Sequence, residues 1–80
     1  MEKIYDKYFS VKEIDELGNM TCEVFGTNEP KAKGYLVKRV DELRAKLDGY
    51  DLESVSGGLN HFKFTKGDRF VEISLVETEA

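Results

Sequence analysis

The alternation of apolar and polar residues is clearest from His61 to Leu75. There Phe62 and Phe64 alternate with Lys63 and Thr65, and Val71, Ile73 and Leu75 alternate in return. Lys66-Gly67-Asp68-Arg69 lies between the runs and reads as a hairpin turn with Gly67-Asp68 as a two-residue loop. That loop sets Phe64 opposite Val71 and Phe62 opposite Ile73 on one face, and Lys63 opposite Glu72 on the other. Three side-chain pairings agree on one register.

A first hairpin is predicted from Tyr8 to Thr27, with Glu16-Leu17-Gly18-Asn19 as its loop. In that register Val11 faces Val24 and Lys12 faces Glu23. Phe9, Val11, Met20, Cys22 and Val24 then share the inner face, while Ser10, Lys12, Ile14, Thr21, Glu23 and Phe25 point outward. Between the hairpins, Leu36, Val40, Leu43 and Leu47 recur at steps of four, three and four, one stripe of a helix. Thr27-Asn28-Glu29-Pro30 is a start signal: Asn or Thr can accept orphan amides, Glu29 complements the dipole, and Pro30 suits the first turn. Asp48-Gly49 ends the helix.

A third strand, Tyr50 to Val55, is expected to return through a three-residue Ser56-Gly57-Gly58 loop with a glycine bulge. That offset brings Leu52 against Phe62 and Tyr50 against Phe64. The element order is therefore ββαβββ, and the predicted fold class is α+β. It is a two-layer sandwich, one helix packed on a mostly antiparallel four- to five-stranded sheet. The order resembles that of β-grasp domains, at the level of element order alone. Whether the hairpin units join through the first and last strands, as there, or through another edge is left open by the pattern.

Eighty residues bound this to a single domain over 1–80, with 1–7 and 78–80 expected to fray. No apolar run approaches the ~20 residues of a membrane span, and the first residues lack the basic and apolar regions of a signal peptide. The expectation is a cytoplasmic protein. Cys22 is the only cysteine, which rules out an internal disulfide and suits a reducing compartment. Its alternation with Met20 and Val24 reads as core.

Charge is unevenly distributed. Residues 1–29 hold three Lys against seven acids, residues 30–50 six Lys or Arg against three acids, and residues 51–80 three basic against six acidic. The predicted helix is basic and the predicted sheet acidic.

Catalytic chemistry is not indicated. Ser74 falls opposite His61 with Glu72 nearby, but a flat sheet provides no oxyanion hole or water-excluding pocket. A Cys22–His61 thiol pair is placed on opposite faces by the same register. One Cys, one His and scattered carboxylates match no zinc or EF-hand spacing, and neither the dinucleotide fingerprint nor the phosphate loop is present. No metal and no cofactor are expected, and the chain is not expected to be an enzyme.

The expected function is a non-enzymatic protein–protein interaction module. Outward Phe25 and Phe70, rimmed by charge, would form an aromatic anchor, and Glu13, Asp15, Glu16, Glu23, Asp51, Glu53 and Glu72 would meet Arg and Lys of a larger protein with a basic surface. The same outer face could take a second copy of the chain. By size and acidity over its whole length the chain resembles the small inhibitors of bacteriophages and mobile elements, including anti-CRISPR proteins. That resemblance implies occlusion of a basic nucleic-acid channel. The alternative is a small regulatory module that binds nucleic acid through its basic helix, with Lys31, Lys33, Lys38 and Arg39 on phosphates.

Overall fold

Six elements appear in the anticipated order in the computed structural model, which describes residues 7–55 and 60–79. They are β1 (Lys7–Asp15), β2 (Met20–Gly26), α1 (Glu29–Lys46), β3 (Asp51–Ser54), β4 (His61–Lys66) and β5 (Arg69–Glu79). One helix packs on a five-stranded sheet of order β2-β1-β5-β4-β3, and every pairing is antiparallel. The hairpin units join through the first and last strands. Lys7 pairs with Glu79 and Tyr8 with Thr78, so Lys7, Thr78 and Glu79 belong to strands where fraying was expected.

The helix forms where its stripe and caps direct. Asn28 is the N-cap, its side chain accepting the Lys31 amide at 3.1 Å, and Pro30 sits in the first turn. Ala32, Leu36, Val40 and Leu43 are buried. Leu47 is the C-cap and packs on the core margin, followed by Gly49 in the left-handed region with φ +84°. Against this stripe the sheet presents Phe9, Val11, Phe64 and Ile73, all buried, with Ile73 at 0% and Phe64 at 1% exposure.

The β4–β5 hairpin has the expected register, including Phe64 opposite Val71, Lys63 opposite Glu72 and His61 opposite Ser74. The first hairpin does not. Val11 pairs with Glu23 and Lys12 with Cys22, one residue away from the predicted Val11–Val24 and Lys12–Glu23 pairs. The cause is the turn. Asp15 pairs with Asn19 by donating its N–H to the Asn19 carbonyl, and Gly18 donates to the Asp15 carbonyl from φ +82°, so the loop is Glu16-Leu17-Gly18. A turn closed by the Gly18–Asp15 hydrogen bond and a left-handed glycine spans three residues where four were expected.

One residue of slip reverses every side chain of the strand. Met20, Cys22 and Val24 lie on the outer face and not in the core; Val24 is 72% and Met20 58% exposed, and Cys22 is exposed as well. Thr21 and Glu23 turn to the helix side. The ladder shifts again between Phe9 and Ser10, which face Gly26 and Val24, leaving Phe25 as the extra residue of a bulge. Phe25 shares the helix-side parity of Thr21 and Glu23 and packs against the core, its ring 5.1 Å from that of Tyr35 on the helix.

In the second unit β3 sits two residues from its predicted alignment. Leu52 pairs with Phe64 and Ser54 with Phe62, replacing the expected Leu52–Phe62 and Tyr50–Phe64 pairs. A shift of two preserves the faces, so Leu52 still packs on the core. The predicted Ser56-Gly57-Gly58 loop lies outside the described residues.

The two strand positions make opposite stability predictions. Phe64→Ala should cost about 3–5 kcal/mol by denaturant unfolding, most of what a chain of this size holds. Val24→Ala should change stability by less than about 0.5 kcal/mol, as at an exposed site. A loss at Val24 like that at Phe64 would return β2 to the four-residue-loop register.

Candidate protein-interaction surfaces

Alternation from Val11 directs Glu13 toward the helix, where an apolar residue would be the usual occupant. The helix supplies its counter-charge from Arg39. Arg39 Nε donates to Glu13 Oε1 at 2.6 Å and its Nη2 to Oε2 at 3.0 Å, a bidentate pair joining α1 to β1. The two side chains are 25% and 16% exposed. Arg39 also reaches Glu42 at 3.4 Å. The hydrogen bonding of Arg39 to the Glu13 carboxylate is the main influence raising the guanidinium above its ordinary pKa, against the opposing effect of burial.

This pair removes one residue from each of the two expected surfaces. Glu13 was expected to meet a partner's cations and Arg39 to meet phosphates; each instead neutralises the other. Lys33 of the basic set lies 3.8 Å from Glu29 in an exposed pair one helical turn away. Lys31 and Lys38 remain exposed and have no ion pair among the described residues.

Asp15 and Glu16 belong to the β1–β2 turn. Asp15 Oδ1 accepts the amides of Leu17 and Asn19, each at 3.0 Å, and Oδ2 accepts the Asn19 side-chain amide at 3.1 Å. Desolvation pushes the Asp15 carboxyl up, but the hydrogen bonds from Asn19 and Leu17 together outweigh it and hold the group below its ordinary 3.8. Its carboxylate is thus a structural part of the turn. Glu16 is exposed at the tip.

The outer sheet face is built from alternate residues of all five strands. Reading across the ladder, one row contains Cys22, Lys12, Ser74 and His61, and the next Met20, Ile14, Glu72, Lys63 and Glu53. Phe70, Thr65 and Asp51 form the row nearest the β4–β5 turn. His61 Nε2 meets Glu72 Oε2 at 2.5 Å, and Lys63 Nζ lies 5.0 Å from the centre of the Phe70 ring. Asp51 and Glu53 on the β3 edge are exposed and have no ion pair among the described residues.

Of the nine residues expected to bind a partner, Asp51, Glu53, Phe70 and Glu72 therefore share one face. Glu13, Glu23 and Phe25 lie on the helix side, and Asp15 and Glu16 on the turn. The expected Phe25–Phe70 aromatic patch does not form, because the slip turns Phe25, with Thr21 and Glu23, to the helix side, where it meets Tyr35. Cys22 and His61 share a face, contrary to expectation, but β1 and β5 separate them. Three strand spacings place them roughly 14 Å apart, too far for a thiol dyad.

Sequence reasoning missed the exposed outer row of β2, although two signals were present. Asp15 followed three residues later by Gly18 is a three-residue hairpin turn, and Gly26, with φ +61°, follows the bulged Phe25. It also missed the bidentate partner of Glu13, whose parity with Phe9 and Val11 marks it as inward. The pair borders a cleft of about 540 Å³ between α1 and the β1–β2 end, lined also by Leu43, Lys46, Leu47 and Val71.

No family model, curated protein or solved structure matches the chain.

Two measurements test the electrostatics. A double-mutant cycle with Glu13→Ala and Arg39→Ala should give a coupling of about 0.5–3 kcal/mol, whereas a cycle between Glu13 and exposed Lys38 should give almost none. Asp15, with its folded pKa below its unfolded one, contributes stability that is present above the unfolded value and lost as pH falls through the folded value. Its carboxyl should titrate below 3.8 by NMR, and the Leu17 and Asn19 amide shifts should follow the same midpoint.

Proposed function

We propose that the chain is a non-enzymatic protein–protein interaction module. In this reading the β3–β4–β5 part of its outer face docks on a basic surface of a larger protein, as a small inhibitor occluding a nucleic-acid-binding surface would. Asp51 and Glu53 supply negative charge at the sheet edge, with Glu72 inward of them and Phe70 the apolar contact in the adjoining row. The observation that carries the reading is the contrast in charge pairing. Both acids of β3, Asp51 and Glu53, are exposed without an ion pair among the described residues. Of the four helix cations expected on phosphates, Arg39 and Lys33 meet Glu13 and Glu29, and two, Lys31 and Lys38, have no ion pair among the described residues.

Acids that keep their hydration until a partner arrives steer association and give it a salt dependence. Lys63 supports the arrangement from inside: it stands between Glu53 and Glu72 in the ladder and covers Phe70. A partner's Arg approaching the two carboxylates would displace Lys63 and expose the ring.

The test is capture of partners by the tagged chain from its host lysate, with nuclease, beside Asp51→Lys/Glu53→Lys. A near-stoichiometric protein should persist after nuclease, weaken at higher salt, and lose about tenfold or more in affinity, ~1.4 kcal/mol, to the double reversal. Recovery of nucleic acid alone, lost on Lys31→Glu/Lys38→Glu, would contradict the reading and favour the helix as the binding surface.

A further inference from the structure

The two edges of the sheet are finished differently. β3 is four residues long and bears Asp51 and Glu53 on its outer side, the short and charged form that resists strand addition. β2 is seven residues long, contains no Lys, Arg or Pro, and presents Met20, Cys22 and Val24 exposed on the outer face. No described strand pairs with its far edge.

The hydrogen-bond phase shows which backbone groups face that edge. Asp15 N–H donates to the Asn19 carbonyl, so Asp15/Asn19 is a hydrogen-bonded pair. Alternation makes Glu13/Thr21 and Val11/Glu23 hydrogen-bonded, and Ile14/Met20, Lys12/Cys22 and Ser10/Val24 non-hydrogen-bonded. Residues of the second kind turn their N–H and C=O groups away from each other. The same phase carried across β1 and β5 requires Leu75 N–H to point toward β4, and there it donates to the Asn60 carbonyl at 2.7 Å. Met20, Cys22 and Val24 therefore direct their backbone donors and acceptors to the open edge, while their side chains stand on the outer face.

We infer that this edge receives β2 of a second copy of the chain, antiparallel, with Cys22 on the two-fold axis. The register follows from self-complementarity. Centring on Cys22 places Met20 of each copy against Val24 of the other in hydrogen-bonded pairs, so the outer row across the junction is apolar throughout. On the helix side Thr21 of each copy faces Glu23 of the other. Centring on Glu23 would set two carboxylates directly opposite, and centring on Thr21 would move Val24 beyond the paired segment. The result is an isologous interface and one continuous sheet of twice five strands. The inference does not depend on the acidic-face reading, which concerns the opposite edge.

Sedimentation under reducing conditions and amide exchange test it on the intact chain between about 10 µM and about 1 mM, the range suited to a small interface. Mass should rise toward twice 9.1 kDa, while the Met20, Cys22 and Val24 amides slow at least tenfold. The Thr21 and Glu23 amides, already bonded to β1, should not respond. Val24→Lys should shift the dimerisation midpoint at least tenfold upward, with an unchanged melting curve at concentrations where both chains are monomeric. A chain that stays at 9.1 kDa throughout overturns the inference. So does a dimer whose Met20, Cys22 and Val24 amides still exchange fast, or protection of those amides solely on adding a different protein.

Discussion

The Asp15 carboxylate gathers the Leu17 and Asn19 amides into a three-residue turn, and the parity of β2 depends on that turn. With Glu16-Leu17-Gly18 as the loop, Val11 faces Glu23 and the apolar set Met20, Cys22 and Val24 is turned to solvent. One more residue in the loop would return those side chains to the helix side and expel Thr21 and Glu23. The same parity places Phe25 against Tyr35 and the core margin, and the bulge at Phe25 brings Gly26 opposite Phe9. A small hydrogen-bonded turn thus decides which residues of an entire edge strand are available for contact.

The second organising interaction is the Glu13–Arg39 pair. A carboxylate directed at the helix from mid-strand would be costly if left alone, and a bidentate guanidinium satisfies both of its oxygens. The pair ties α1 to β1, the strand that the turn aligns with β2. It also changes the electrostatic description of the molecule. The helix is basic by composition, but part of that charge is directed inward or met by an acid one turn away. The acids of β3 have no such partner among the described residues, so the composition of a segment and the charge it presents are different quantities.

Much of the architecture is legible in the sequence. The β4–β5 hairpin announced itself through three agreeing side-chain pairs, and the helix through its stripe, its Asn28-Glu29-Pro30 start and its Gly49 stop. The errors lie where apolar parity was allowed to outvote turn chemistry. Met20, Cys22 and Val24 form as regular an alternating run as Phe62 and Phe64, and a β-strand at an edge can present such a run outward. The Asp15 to Gly18 spacing, with Gly26 after Phe25, distinguishes the two cases. For β3 the alternation correctly assigned the face but not the alignment, since a shift of two leaves parity unchanged. The candidate surface was half visible: Asp51, Glu53, Phe70 and Glu72 do share a face. Glu13, Glu23 and Phe25 were misplaced by the pairing partner and the slip that single-strand periodicity does not encode.

The exposed edge, the displaced Phe25 and the helix-side position of Glu23 all rest on the alignment of β1 with β2, and cross-strand Hα–Hα contacts measure it directly. Non-hydrogen-bonded antiparallel pairs bring these protons close. The account predicts strong contacts between Lys12 and Cys22 and between Ile14 and Met20. A strong Hα–Hα contact between Lys12 and Glu23 in their place would contradict it.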